Sequence, residues 1–143
     1  MNASNDSPSA MSWGRFALVG LATVIAAVVA TLIVYYIGGA IVAYDPTFVV
    51  LATNGGTIIF TVTLAVIAVL VYAVVLRFAA DPPRTFKIIA AVVLVLSVIP
   101  DFTYIPTVPG ATTAQALVLV AMHVVAAIVI VGMLTTLAPS RPR

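Results

Sequence analysis

Four long apolar stretches separated by short polar segments dominate the pattern of this chain. They cover residues 16–40, 57–78, 85–99 and 113–137. An α-helix needs about 20 apolar residues to cross the hydrocarbon core of a bilayer, which is about 30 Å thick. The first, second and fourth stretches meet this length. The pattern predicts an all-α fold, a four-helix transmembrane bundle that runs up-down-up-down in one membrane domain over residues 14–138.

The third stretch is short for a spanning helix. About thirteen residues, or about 20 Å of helix, run from Lys87 to Ile99 before Pro100. The preferred prediction is that the helix ends there and that residues 101–110 cover the remaining depth as non-helical backbone. Such backbone is tolerated in a membrane only when it is buried in protein or lines a cavity. The alternative is that Pro100 kinks the helix, which then continues for a further turn.

Local signals predict how the spans begin and connect. Asp81 followed by Pro82 is typical of a helix N-cap and first helical residue, and the short turn there makes spans two and three antiparallel neighbours. The apolar run Phe48-Val-Val-Leu51 lies between turn signals, so we expect loop 41–56 to fold back as a cap. In the first span, small residues predict a face for close helix packing: Ala22, Ala26 and Ala30 at four-residue spacing, with Thr23 and Ala27 beside them.

Composition excludes a soluble domain. The chain has 143 residues, of which 64% are hydrophobic and 7% charged, and its mean hydropathy is +1.28. Soluble domains carry about 25% charged residues. A formal net charge of +2 gives no indication of nucleic-acid binding. The absence of cysteine excludes disulfides and thiolate metal sites, and one histidine supplies too few ligands for zinc, so the pattern identifies no cofactor.

The positions of the basic residues predict the orientation. All six flank the apolar stretches on one side of the predicted membrane, whereas loops 41–56 and 100–112 contain none: Arg15, Arg77, Arg84, Lys87, Arg141 and Arg143. The positive-inside rule then places both termini in the cytoplasm of a multi-pass plasma-membrane protein. Residues 1–13 and 139–143 are interpreted as cytoplasmic tails, the first of them disordered. The first stretch is too long for a signal peptide, so we expect it to be retained.

Ionisable residues inside a membrane are functional candidates by default, and this chain has Asp101 and His123. Each lies about 14 residues, or about 21 Å, from the cytoplasmic boundary of its span. Both therefore belong to one layer, with Thr63 at the same depth, Thr31 slightly above it and Ser97 about a turn deeper, so that all four helices contribute to it. The hypothesis is a buried Asp101–His123 pair in a polar pocket that opens outward. Alternatively, His123 only fixes helix register and Asp101 only caps a turn.

The string Ser97-Val-Ile-Pro100-Asp101, together with Met122-His123 before small residues, resembles an uncharacterised bacterial family of four-span membrane proteins. In that family the third span ends in Ser-x-x-Pro and the fourth carries Met-His. The turn with proline and arginine between spans two and three is also similar. The resemblance covers residues 14–138 and implies the four-span topology. It also marks four residues as candidates for a functional role: Ser97, Pro100, Asp101 and His123. It implies no activity.

The leading functional prediction is a non-enzymatic membrane protein with a pocket for a lipid or another lipophilic molecule. Asp101 and His123 would be its polar anchors, Ser97 and Thr63 secondary hydrogen-bonding groups, and three aromatic residues its lid: Phe48, Phe102 and Tyr104. The first alternative is an assembly subunit of a larger membrane complex or a homo-oligomer. The second is a proton-coupled carrier or membrane enzyme that depends on His123.

Overall fold

The computed structural model describes residues 11–138, and within them the chain forms helices and no strands. The four long helices are α1 (Trp13–Ile41), α2 (Asn54–Phe78), α3 (Pro82–Thr103) and α4 (Thr113–Leu137), and a short 3₁₀ helix, Ile105–Thr107, follows α3. All four are long and apolar enough to cross a membrane. Of the predicted tails, 1–13 and 139–143, residues 1–10 and 139–143 lie outside the described residues, whereas Met11 is buried and Trp13 begins α1.

The helices begin at side chains that accept the free N–H groups of their first turns. Ser12 accepts from the N–H of Arg15 at 3.2 Å, and Asp81 accepts from that of Arg84 at 3.2 Å. Pro82 occupies the first turn of α3, so the predicted cap at this turn is confirmed. Thr112 and Gln115 form a reciprocal capping box at the start of α4.

The prediction that α3 ends at Pro100 is wrong. The helix passes through Pro100 to Thr103, and the N–H of Tyr104 donates to the carbonyl of Pro100 at 2.9 Å. Proline removes only its own N–H donor from the ladder, and its carbonyl still accepts from the next turn. The 3₁₀ turn that follows extends the apolar segment to Thr107, or 26 residues from Pro82. The third segment therefore has spanning length.

Two buried clusters hold the bundle together. The Tyr72 cluster joins the first turn of α1, the end of α2, the start of α3 and the end of α4; its aromatic members are Phe16, Tyr72 and Phe86. The ring centroids of Tyr72 and Phe86 are 4.8 Å apart. The Phe48 cluster lies at the other ends of α3 and α4 and contains loop and helix residues: Phe48, Leu51, Ile105, Ala116, Leu119 and Met122. Loop 42–53 does fold back onto the bundle, as predicted.

The packing face of α1 includes the predicted Thr23 and Ala27 but is rotated away from the three predicted alanines. Ala22 is exposed and Ala26 and Ala30 are only half-buried. The buried small residues lie on the adjacent face: Gly20, Thr23, Ala27, Thr31 and Gly38. A Cβ on Gly20 would lie 2.8 Å from Cγ1 of Val69 on α2, so close approach of α1 and α2 requires glycine there. Both faces repeat every three or four residues, and the spacing alone does not choose between them.

Candidate functional site

One cavity inside the bundle receives a polar side chain from each of the four helices. Its volume is about 170 Å³. The polar residues on its wall are Thr31 of α1, Thr57 and Thr61 of α2, Asp101 of α3 and His123 of α4. Apolar side chains form the rest, among them Val50 from the folded-back loop and Ile105 from the 3₁₀ turn. The cavity therefore lies between the spans and beneath the loop.

Asp101 and His123 are brought together on this wall. Nδ1 of His123 is 3.2 Å from Oδ2 of Asp101, and the Asp101 side chain is 6% exposed. Nδ1 is also 2.8 Å from the main-chain carbonyl of Leu119, one turn earlier in α4. Because a carbonyl oxygen can only accept, Nδ1 carries a hydrogen and donates it to Leu119. The helix backbone thus fixes the orientation of the imidazole ring.

This geometry leaves a buried acceptor unsatisfied. The Nδ1–H is directed at the Leu119 carbonyl, so Oδ2 of Asp101 has no hydrogen bond from any described residue despite its closeness to the ring. The His123 side chain is 29% exposed, and its Nε2, on the other side of the ring, makes no hydrogen bond to the described residues. Oδ2 of Asp101 is the buried atom. A buried polar atom without a partner costs about 1–3 kcal/mol. Such atoms in a native structure call for an explanation, such as a ligand that supplies the missing donor.

Two of the three threonines on the wall, Thr31 and Thr61, are already hydrogen-bonded. The Thr31 hydroxyl lies 3.0 Å from the carbonyl of Ala27, to which it donates, and 3.2 Å from the hydroxyl of Thr61. Since the Thr31 hydrogen is directed at its own helix, Thr61 is the donor between the two side chains. The pair joins α1 to α2 at the level of the cavity. Among the described residues, the buried side-chain atoms without a hydrogen-bond partner are Oδ2 of Asp101 on this wall and Nε2 of Gln115 away from it.

The other sequence-predicted residues do not share the cavity wall. Thr63 is exposed and its hydroxyl donates to Ile59 of the same helix. Two residues are about 200° around a helix, so Thr61 faces inward where Thr63 cannot. Ser97 is half-buried and donates to the Leu94 carbonyl at 2.8 Å. Thr57 and Thr61 are four residues apart and both line the cavity. Their spacing was the signal in the sequence that marks the cavity-facing side of α2.

The three predicted lid residues also separate. Phe48 is fully buried in the Phe48 cluster, whereas Phe102 and Tyr104 are 53% and 65% exposed. Phe102 lies in an apolar groove on the outer surface of α3 and α4. Val50 and the buried Ile105 are the residues that cover the cavity from the loop side. The aromatic lid that the sequence suggested is therefore replaced by two aliphatic residues.

The cavity reaches the molecular surface on the side of α2. Two of its wall residues, Phe60 and Leu64, are 67% and 50% exposed. Both lie within a helix long and apolar enough to span the membrane. The exposed rim therefore faces the surface that lipid would cover. The cavity opens sideways toward the lipid, whereas the sequence predicted a pocket that opens outward.

These features define a multi-pass integral membrane protein with a largely apolar cavity between its spans, whose wall carries a few polar side chains. Large apolar side chains are exposed along all four helices, as expected where lipid rather than water is the solvent. Residues 11–140 match the model of a family of unknown function (DUF6069), and the chain belongs to that family. No curated protein and no solved structure matches the chain.

Proposed function

We propose that this protein binds a lipid or another lipophilic small molecule in the cavity between its four helices. The observation that carries the proposal is the buried carboxyl oxygen of Asp101, which has no hydrogen bond from the described residues and lies on the cavity wall. An apolar cavity with a few convergent polar groups is the usual form of a small-molecule site. Asp101 and His123 are the polar anchors of the proposed site.

The proposal includes an orientation. The bundle runs up-down-up-down with both termini in the cytoplasm of a bacterial plasma membrane, and the cavity lies in the outer half. The positions of all six basic residues support this orientation. The chain contains no cysteine, so single cysteines can be placed at Val49 in loop 42–53 and at Ala80 in the turn before α3. We expect a membrane-impermeant maleimide to label Val49→Cys in intact cells, and Ala80→Cys only after permeabilisation. The reverse pattern would invert the orientation.

Native mass spectrometry with an absorption spectrum tests the binding proposal on protein gently extracted from its own membrane. We expect a stoichiometric bound molecule that is lost in Asp101→Ala and in His123→Ala. Ser97→Ala is the matched control, because Ser97 lies one turn from Asp101 on α3 and is absent from the cavity wall. Wild-type protein without a bound molecule, or equal loss in the control, would refute the proposal.

An assembly subunit of a larger membrane complex is the second candidate function. The exposed Ala22, with the half-buried Ala26 and Ala30 in line with it, favours this candidate because small residues allow a further helix to approach. The same mass spectra distinguish it, since a ligand-free chain that carries other polypeptides would support assembly. A carrier or enzyme that depends on His123 would instead show a pH-dependent activity that His123→Gln abolishes.

A further inference from the structure

The unsatisfied atoms on the cavity wall restrict the chemistry of the ligand. Oδ2 of Asp101 is an acceptor when the carboxyl group is ionised, and Nε2 of His123 is an acceptor when the ring is neutral with its hydrogen on Nδ1. The hydroxyl groups of Thr31 and Thr61 already have partners. No lysine or arginine lies on the wall among the described residues. The site therefore favours a ligand that brings hydrogen-bond donors and disfavours an anionic head group.

The size and shape of the cavity restrict the ligand further. Its volume of about 170 Å³ is close to that of the engineered cavity of about 150 Å³ that binds benzene. One six-membered ring fills a space of this size. The exposed Phe60 and Leu64 on its rim give an apolar exit toward the lipid, where a tail attached to the ring can continue.

We propose that the cavity binds the ring of a phenol-like amphiphile, whose hydroxyl group donates to Asp101 and whose alkyl tail leaves across Phe60 and Leu64 into the bilayer. This inference rests on the proposed function, because it names the ligand class of the same cavity. The hydroxyl group supplies the donor that the buried carboxyl oxygen lacks. The ring occupies the apolar volume beside Met122 and Ala126, and the ligand enters laterally from the membrane.

Displacement of radiolabelled 4-octylphenol from the full-length protein in nanodiscs tests the inference. The competitors are 4-octylanisole, which keeps the shape and loses the donor, 4-octylbenzoate, which is anionic, and 1-tetradecanol, which has the hydroxyl without the ring. We expect unlabelled 4-octylphenol to compete about tenfold more strongly than 4-octylanisole, since one net hydrogen bond corresponds to about a factor of ten. It should also compete more strongly than 4-octylbenzoate, whose charge meets no cation on the wall, and than 1-tetradecanol, which has no ring to fill the cavity. Asp101→Leu should remove the advantage over 4-octylanisole.

Variants whose larger side chains fill the cavity distinguish binding in the cavity from partition of the probe into the lipid. Ala126→Phe and the milder Ala126→Leu place extra volume on the wall, and Gly132→Ala is a control on the same helix, where an added Cβ meets nothing within 4 Å. We expect saturable binding to be lost in at least one Ala126 variant that still unfolds cooperatively, and to be kept in the control. Equal competition by 4-octylanisole or 1-tetradecanol, with binding still blocked at Ala126, would overturn the phenol inference and leave the proposed function standing. Absence of saturable binding by any probe, in a protein that also carries no bound molecule from its own membrane, would overturn both.

Discussion

Replacement of Gly110 by alanine tests how the folded-back loop is held over the cavity. Gly110 has a φ of +75°, a left-handed conformation that is unfavourable for alanine. A Cβ at this position would nearly overlap Oγ1 of Thr47 and would lie 2.9 Å from the main-chain nitrogen of Phe48. The loop between α3 and α4 thus meets loop 42–53 at a point where only glycine fits. Val50 of that loop covers the cavity.

The expected loss of stability in Gly110→Ala follows from the left-handed backbone at this position and from the close contacts of the added Cβ. The left-handed backbone costs alanine about 1–2 kcal/mol. The Thr47 hydroxyl donates to Asp45 at 2.6 Å, and the added Cβ would displace it. The contact with the Phe48 backbone cannot be relieved by a side-chain rotation. We therefore expect Gly110→Ala to lower the free energy of unfolding by about 2 kcal/mol or more.

Titration from mild detergent into SDS, followed by circular dichroism, measures this free energy. Gly132→Ala is the control, because its added methyl group meets no neighbour. Alanine is more favourable than glycine inside a helix, so this variant should raise the free energy of unfolding by about 0.5–1 kcal/mol. The two variants should differ by about 3 kcal/mol or more. If Gly110→Ala is as stable as the control, the two loops do not pack as described and the cover over the cavity is wrong.

Three further predictions concern other contacts. Tyr72 is fully buried and its hydroxyl donates to the Ala138 carbonyl at 2.9 Å, so Tyr72→Phe should lower the free energy of unfolding in the same titration by about 1 kcal/mol or somewhat more. Thr61→Val removes the hydrogen bond to the α1 threonine and should cost about 0.6 kcal/mol, a typical value for such bonds between membrane helices; a loss above 2 kcal/mol would contradict this. Hydrogen bonds from the Thr47 hydroxyl and then its N–H hold the pKa of Asp45 below its ordinary value of 3.8. A lowered carboxyl pKa contributes stability that is complete above the ordinary value and is lost as the pH falls through the lowered one. Unfolding measured from about pH 5 to pH 2 should show this loss, and Thr47→Val should reduce it.

The candidate site was predictable in part, and the successes and failures have physical causes. A count of residues from the membrane boundary placed Asp101 and His123 at one depth, because helical rise is constant at 1.5 Å per residue. Depth does not give the direction of a side chain around its helix. Thr63 was therefore expected at the pocket, although Thr61 lines the cavity and the two point to nearly opposite sides of α2. Phe102 and Tyr104 were expected in non-helical backbone over the pocket, but α3 continues to Thr103 and both side chains are exposed.

The sequence by itself determined the elements, since they depend on local chemistry and on composition. Four apolar stretches define four helices, however the helices pack together. Asp81 and Pro82 begin α3 independently of the helices that α3 contacts. Only the tertiary structure decided which faces meet. α3 continues through Pro100, and the buried Ile105 then packs with the folded-back loop. The unsatisfied carboxyl oxygen of Asp101 and the lateral rim at Phe60 depend on the relative rotation of whole helices, which is set by contacts between residues far apart in the chain.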